Sequence, residues 1–192
     1  LIFMEELNLT ILFASVVAGA APIVLATLGE TLTEKAGLIN LSLDGSILLS
    51  AMTAFAISYT TQSLILGILA AAIVGALVAL VVAIFSIYLH QNQVAVGFVL
   101  TLMTRDLAYF LGNAYSRIQG PQVLPFPIPG LKELPFLGSI FFNHNLMVYA
   151  SLFLIAGMWY WMYRTRPGLY LRAVGENPRA AFARGTDPRR VQ

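Results

Sequence analysis

Five long apolar stretches, 11–28, 38–59, 64–89, 94–112 and 146–163, dominate this sequence. Each is close to the roughly 20 residues that a helix needs to cross the hydrocarbon core of a bilayer. Lipid offers backbone amides and carbonyls no partner, so such segments satisfy themselves as helices rather than as open strands. The expectation is an all-α, polytopic membrane helical bundle with about five spans. Composition points the same way, with 58% hydrophobic and only 10% charged residues against about 25% charged in ordinary globular domains. Mean hydropathy is +0.79. The first run follows Glu5 and Glu6 rather than a basic segment, so it reads as a span and not as a cleavable signal. The chain starts at Leu1 and stops at Gln192 just behind a charged segment, and it reads as a C-terminally truncated piece of a longer protein.

Charge sets the orientation. The net charge is only +2, and most basic residues gather behind the fifth run, as Arg164, Arg166, Arg172, Arg179, Arg184, Arg189 and Arg190. That pattern is a tail and gives no argument for nucleic acid. By the positive-inside rule the tail is cytoplasmic. Counting back, 29–37 and 90–93 fall inside, while the N-terminus, 60–63 and 113–145 fall outside. The outer loop interleaves Pro121, Pro125, Pro127, Pro129 and Pro135 with Phe126, Phe136, Phe141 and Phe142, and has Arg117 and Lys132 as its fixed positive charges. Proline at this density gives a stiff, turning path. A cap on which a delivery protein docks and a connector folded on its own bundle both fit it. There is no cysteine, and His90 and His144 are far apart, so no metal site, cofactor or catalytic residue is expected.

Behind the fifth run, Asn177 followed by Pro178 reads as an N-cap with proline at the first helical position, and Gly185 reads as a stop. The spacing predicts a short helix over 178–184, too short to persist alone in water. A partner protein or anionic lipid would hold it. The string from Gly168 to Gly185, GLYLRAVGENPRAAFARG, resembles the cytoplasmic coupling segment of the ABC-transporter permeases that serve branched-chain amino acids, ribose-type sugars and nucleosides. Upstream, Glu34-Lys-Ala-Gly-Leu-Ile-Asn-Leu-Ser-Leu-Asp-Gly45 resembles that family's E-x-x-G-x-I-N-x-x-x-E-G signature, and Asn92-Gln93-Val94 resembles its N-Q-V start of a later span. The outer segment around Pro127, Leu134 and Asn143 is most similar to the nucleoside and simple-sugar branch.

The resemblance implies one permease transmembrane domain over 1–192, with a cytoplasmic coupling segment over 164–192. It implies that Gly175, Glu176, Asn177, Pro178, Arg179, Ala180, Ala181, Arg184 and Gly185 meet a separate ABC ATPase subunit. Further partners would be a second permease subunit, an extracytoplasmic solute-binding protein and the lipid bilayer of the cell (inner or plasma) membrane. The function implied is ATP-driven import of a nucleoside or simple sugar by alternating access, with no enzymatic activity in this chain. Ala180, Ala181 and Ala183 would give the short helix a small-residue surface able to enter a groove of the ATPase. Two departures stand out: Asp44 sits where the family has Glu, and Arg105 and Asp106 sit where small or apolar residues are usual.

Candidate pathway residues are Asn40, Asp44, Asn92, Gln93, Arg105 and Asp106. Gly37, Asn40, Ser42, Asp44 and Gly45 interrupt the start of the second span, as a late-starting helix lining a cavity or as a helix cap at the interface. Arg105 lies roughly 18 Å beyond Gln93 at about 1.5 Å per residue. At that depth it faces a cavity or a partner, or snorkels to the surface. Adjacent on a helix, Arg105 and Asp106 point to different faces and need not pair. Trp159, Tyr160, Trp161 and Tyr163 fit an interfacial aromatic belt, with a stacking site for a base or sugar as the sharper reading. The other functions weighed are a branched-chain amino acid ABC permease and a secondary transporter coupling an ion gradient through Arg105 and Asp106.

Overall fold

The computed structural model describes residues 9–131 and 137–191. Among these the helices are α1 (Leu9–Lys35), α2 (Leu43–Thr61), α3 (Leu64–Ala83), α4 (Gln93–Gly112), α5 (Leu137–Phe141), α6 (Leu146–Arg164), α7 (Arg166–Glu176), α8 (Pro178–Ala183) and α9 (Pro188–Val191). A π-helical turn, Ile84–Tyr88, prolongs α3, and a tight turn, Asn113–Tyr115, prolongs α4. Four helical segments are long and apolar enough to cross a membrane: Leu9–Lys35, Leu64–Tyr88, Gln93–Tyr115 and Leu146–Arg164. The glutamates ahead of the first run, and Lys132, Pro135 and Phe136 of the outer loop, lie outside the described residues.

The fifth expected span begins later than expected and is set apart from the other four by its packing. The stretch 38–59 becomes α2, a helix of 19 residues that begins only at Leu43 and is less apolar than the other four. Its polar residues include Asp44, Ser46, Ser50, Thr53, Ser58 and Thr60. The physical reason is packing. α2 lies against both α3 and α4, which touch each other little, so protein rather than lipid meets much of its surface. Leu49, Val78 and Ala108, one from each helix, form the centre of this core, with Leu48, Met52 and Val74 around them. Glycines let the backbones close. A Cβ on Gly45 would overlap the Thr104 hydroxyl and the Thr101 carbonyl, and one on Gly67 would overlap the Ser58 hydroxyl.

α1 also runs past the expected end at residue 28, continuing through Gly29 to Lys35. There the helix closes in a Schellman motif. Gly37 takes φ +81°, its N–H donates to the Glu34 carbonyl at 2.9 Å, and the Leu38 N–H donates to the Thr33 carbonyl at 2.9 Å.

The chain divides into two compact units. One holds Leu1–Leu28 and Val123–Trp161. Within it residues 123–128 of the proline-rich loop form no helix. Phe126 N–H donates to the His144 carbonyl at 2.8 Å and Ile128 N–H to the Phe142 carbonyl at 3.1 Å, with Pro125 bridging Asn145 in antiparallel fashion. His144 is buried, its Nε2 lying 2.7 Å from the Ile140 carbonyl. The other unit, Gly29–Gln122 with Met162–Gln192, carries most of the candidate residues.

Candidate functional site

The short helix stands where the capping residues put it. Asn177 Oδ1 accepts from the Ala180 N–H at 3.0 Å, Pro178 occupies the first turn, and α8 runs Pro178–Ala183. Gly185 takes φ +89°. Its N–H donates to the Phe182 carbonyl at 2.9 Å and the Thr186 N–H to the Ala181 carbonyl at 3.0 Å, a second Schellman closure. Asn177 does a further job that sequence reasoning missed. Its own N–H donates to the Ala173 carbonyl at 3.1 Å, so one residue ends α7 and starts α8.

α7 itself was not expected from the sequence. Pro167 and Gly168 look like breakers, yet Thr165 caps the helix by accepting from the Gly168 N–H at 3.3 Å, and proline is tolerated in a first turn. Leu171 and Val174 are buried, Val174 completely. The Arg172 guanidinium lies 4.7 Å over the Tyr163 ring, a cation–π contact between α7 and the end of α6. Tyr163 therefore has a partner within the chain as well as a place in an aromatic belt.

The exposed face of α8 corrects the small-residue surface inferred from sequence. Ala181 is buried against its own chain, so it is not free to enter a partner's groove. Outward-facing residues are Arg179, Ala180, Ala183 and Arg184, together with Phe182, which is 68% exposed. Phe182 was overlooked. The available signal was an aromatic side chain set between arginines on a two-turn helix.

The loop 36–42 is tied on two sides. On one, α7 crosses it so closely that a Cβ on Gly175 would overlap the Lys35 carbonyl and come within 3.0 Å of the Gly37 nitrogen. On the other, Gln93 Oε1 accepts from the Ile39 N–H at 3.0 Å, and Thr101 Oγ1 donates to the Leu41 carbonyl at 2.6 Å. A Cβ on Gly97 would sit 2.8 Å from the Leu41 nitrogen. Asn40 folds inward, its Oδ1 accepting from the Ser42 N–H at 3.0 Å and hydroxyl at 2.6 Å. Asn92 caps α4, its Oδ1 accepting from Val94 N–H at 3.0 Å and Ala95 N–H at 3.2 Å. Asp44 stands in the first turn of α2, where a carboxylate complements the helix dipole. The structure thus brings Gly175, Asn40 and Gln93 to one loop.

Arg105 and Asp106 lie apart from that loop, and their side chains meet although sequence neighbours on a helix need not pair. They pair, Arg105 Nε lying 3.6 Å from Asp106 Oδ1. Although their Cβ atoms diverge, the long arginine stem bends across to its neighbour. The two side chains are 40% and 73% exposed, on a helix whose opposite face, Gly97, Thr104 and Ala108, is buried.

Helices of this length and apolarity define a multi-pass membrane protein of the helical-bundle class. Residues 12–192 match the family described as the permease component of the branched-chain amino acid transport system, and the chain belongs to that family. TsgC13 of Haloferax volcanii, provisionally named a glucose ABC transporter permease, is 35% identical over 178 residues, covering 91% of this chain and 54% of the relative. The nucleoside ABC transporter permease NupC of Lactococcus lactis is 30% identical over 190 residues, covering 93% of this chain and 60% of the relative. The guanosine ABC transporter permease NupQ of Bacillus subtilis is 31% identical over 192 residues, covering 92% and 59%. The chain therefore spans a little over half the length of these curated relatives. No solved structure matches it.

Proposed function

We propose that this chain helps to build the translocation pathway of an ATP-driven importer, and that α8 receives the stroke of a separate ABC ATPase on the cytoplasmic side. The observation that carries the reading is the mechanical continuity around the loop 36–42. α8 is joined to α7 through Asn177 alone, α7 bears on Lys35 and Gly37 through Gly175, and the loop is bound to α4 through Gln93 and Thr101. A push on the exposed Arg179, Phe182 and Arg184 face would be delivered through backbone contacts to α1, α2 and α4. Rigid contacts of this kind transmit displacement, because packed elements shift as units.

The arginine-rich tail supports a cytoplasmic placement of α7 to α9, with a solute-binding protein and the loop 113–145 on the other side. A second permease subunit would cover the outward faces of the helices. Arg105 and Asp106 would line a polar part of the pathway, since their mutual pairing leaves no net charge there. The solute is a neutral polar compound, nucleoside or simple sugar, as in the names of the relatives. No enzymatic step is assigned to the chain itself.

Uptake of labelled guanosine, glucose and leucine into cells carrying the full-length permease with its ATPase tests the reading. Guanosine or glucose uptake that persists when ion gradients are collapsed and stops when ATP is depleted is the expected result. Uptake that follows the proton or sodium gradient would identify a secondary transporter, and leucine uptake alone would identify an amino acid permease.

A further inference from the structure

Several hydroxyl side chains in these helices bond back to their own backbone. Ser46 donates to the Ser42 carbonyl at 2.7 Å, Thr53 to Leu49 at 2.8 Å, Thr104 to Leu100 at 2.7 Å and Ser151 to Val148 at 2.7 Å. This is the usual way to satisfy a hydroxyl away from water. Ser86 departs from it. Its Oγ is buried without a hydrogen-bond partner, and the residue is only 7% exposed. A buried hydroxyl left unsatisfied is unfavourable, and a polar group brought to it recovers that cost.

Ser86 is at the centre of the π-helical turn Ile84–Tyr88, where the Leu89 N–H donates to the Ile84 carbonyl at 3.0 Å and the Gln91 N–H to the Phe85 carbonyl at 2.9 Å. π-helical turns within helices are frequent at functional sites, and this one closes α3.

Ser86 also lies on the wall of two cavities. One, of about 400 Å³, is formed by Thr33, Asn40 and the alanines 76, 79 and 83, with no charged side chain on its wall. The other, of about 630 Å³, is formed by His90, Gln93, Phe182, Asp187 and Arg189 among others, with charges of both signs on its wall. Both fall within the roughly 300–1,000 Å³ typical of small-molecule sites. The first has a smooth apolar wall and a polar end, which suits a ring compound with one apolar face and hydroxyl groups at its edge. A zwitterion would leave both charges uncompensated there.

We infer that Ser86 is a solute contact, whose hydroxyl bonds a neutral, hydroxyl-bearing ring solute between the cavity beside Asn40 and the cavity beside Phe182. The inference rests on the reading of the chain as a permease for such a solute. It adds a site at the π-helical turn, next to the element that receives the ATPase stroke.

The test replaces Ser86 by Cys in the full-length permease, made cysteine-free elsewhere and assembled with its ATPase in inverted membrane vesicles. The probe is a small cationic methanethiosulfonate reagent, with guanosine or glucose as the protecting solute. Labelling that slows at least about fivefold with the solute the wild type transports, but not with leucine, supports the contact. No labelling, or the same rate with and without solute, overturns it while wild-type uptake stands. Wild type that takes up neither solute overturns the permease reading for this solute class, and the inference with it. Should Ser86→Cys fail to assemble, Ser86→Ala decides. A KM raised about three- to tenfold, as the loss of one neutral hydrogen bond predicts, with unchanged assembly supports the contact; an unchanged KM overturns it.

Discussion

At Gly175 a single methyl group separates a working joint from a blocked one, because Lys35 and Gly37 occupy the space that a side chain would need. Displacing packed backbone costs about 1–3 kcal/mol. Gly175→Val should therefore lower ATP-dependent uptake severalfold, while the ATPase still co-purifies through the exposed face of α8. Co-purification of the ATPase with the variant, measured beside uptake, checks this. Normal uptake would show that α7 carries no displacement into the loop. Several single residues were legible in advance. Asn177, Pro178 and Gly185 announce their helix because caps and stops act within a few residues of sequence. Others were not. Gln93 reaches Ile39 across 54 positions, and nothing local in either segment encodes that bond. The pairing of Arg105 and Asp106 stayed open because the divergence of neighbouring Cβ atoms says little about where a long flexible side chain ends.

At the scale of elements, α2 shows how a helix packed against protein on two sides can carry more polar residues than its neighbours. Protein on two of its sides replaces lipid, so serines and threonines are tolerated and bond back to the helix, as Ser46 and Thr53 do. Its close approach to α4 depends on Gly45, whose missing side chain makes room for Thr101 and Thr104. Gly45→Leu should separate the two helices, lower the melting temperature of the detergent-purified protein by several degrees, and abolish uptake. Gly19→Leu, at a position with open space around it, serves as the control and should leave both nearly unchanged. Equal behaviour of the two variants would mean that α2 and α4 do not depend on that crossing. α7 was invisible in the sequence for the opposite reason. Its proline and two glycines depress local propensity, and burial of Leu171 and Val174 restores the helix through tertiary contact.

At the scale of the whole molecule, the account makes the arginine-rich end and the proline-rich loop face opposite sides of the membrane. The chain has no cysteine, so single cysteines at exposed Gln119 and Arg190 can report each side. In intact cells Gln119→Cys should react with a membrane-impermeant thiol reagent and Arg190→Cys should not. The reverse pattern would invert the topology and remove α8 from any cytoplasmic ATPase. The central claim is that α8 meets that ATPase, and site-specific photo-crosslinking at position 182 tests it most directly. With a photoreactive amino acid in place of Phe182, in the full-length permease coexpressed with its ATPase, the account predicts a permease–ATPase adduct whose yield changes between nucleotide-free and ATP-bound states. Adducts to lipid alone, with no ATPase captured in either state, would contradict it.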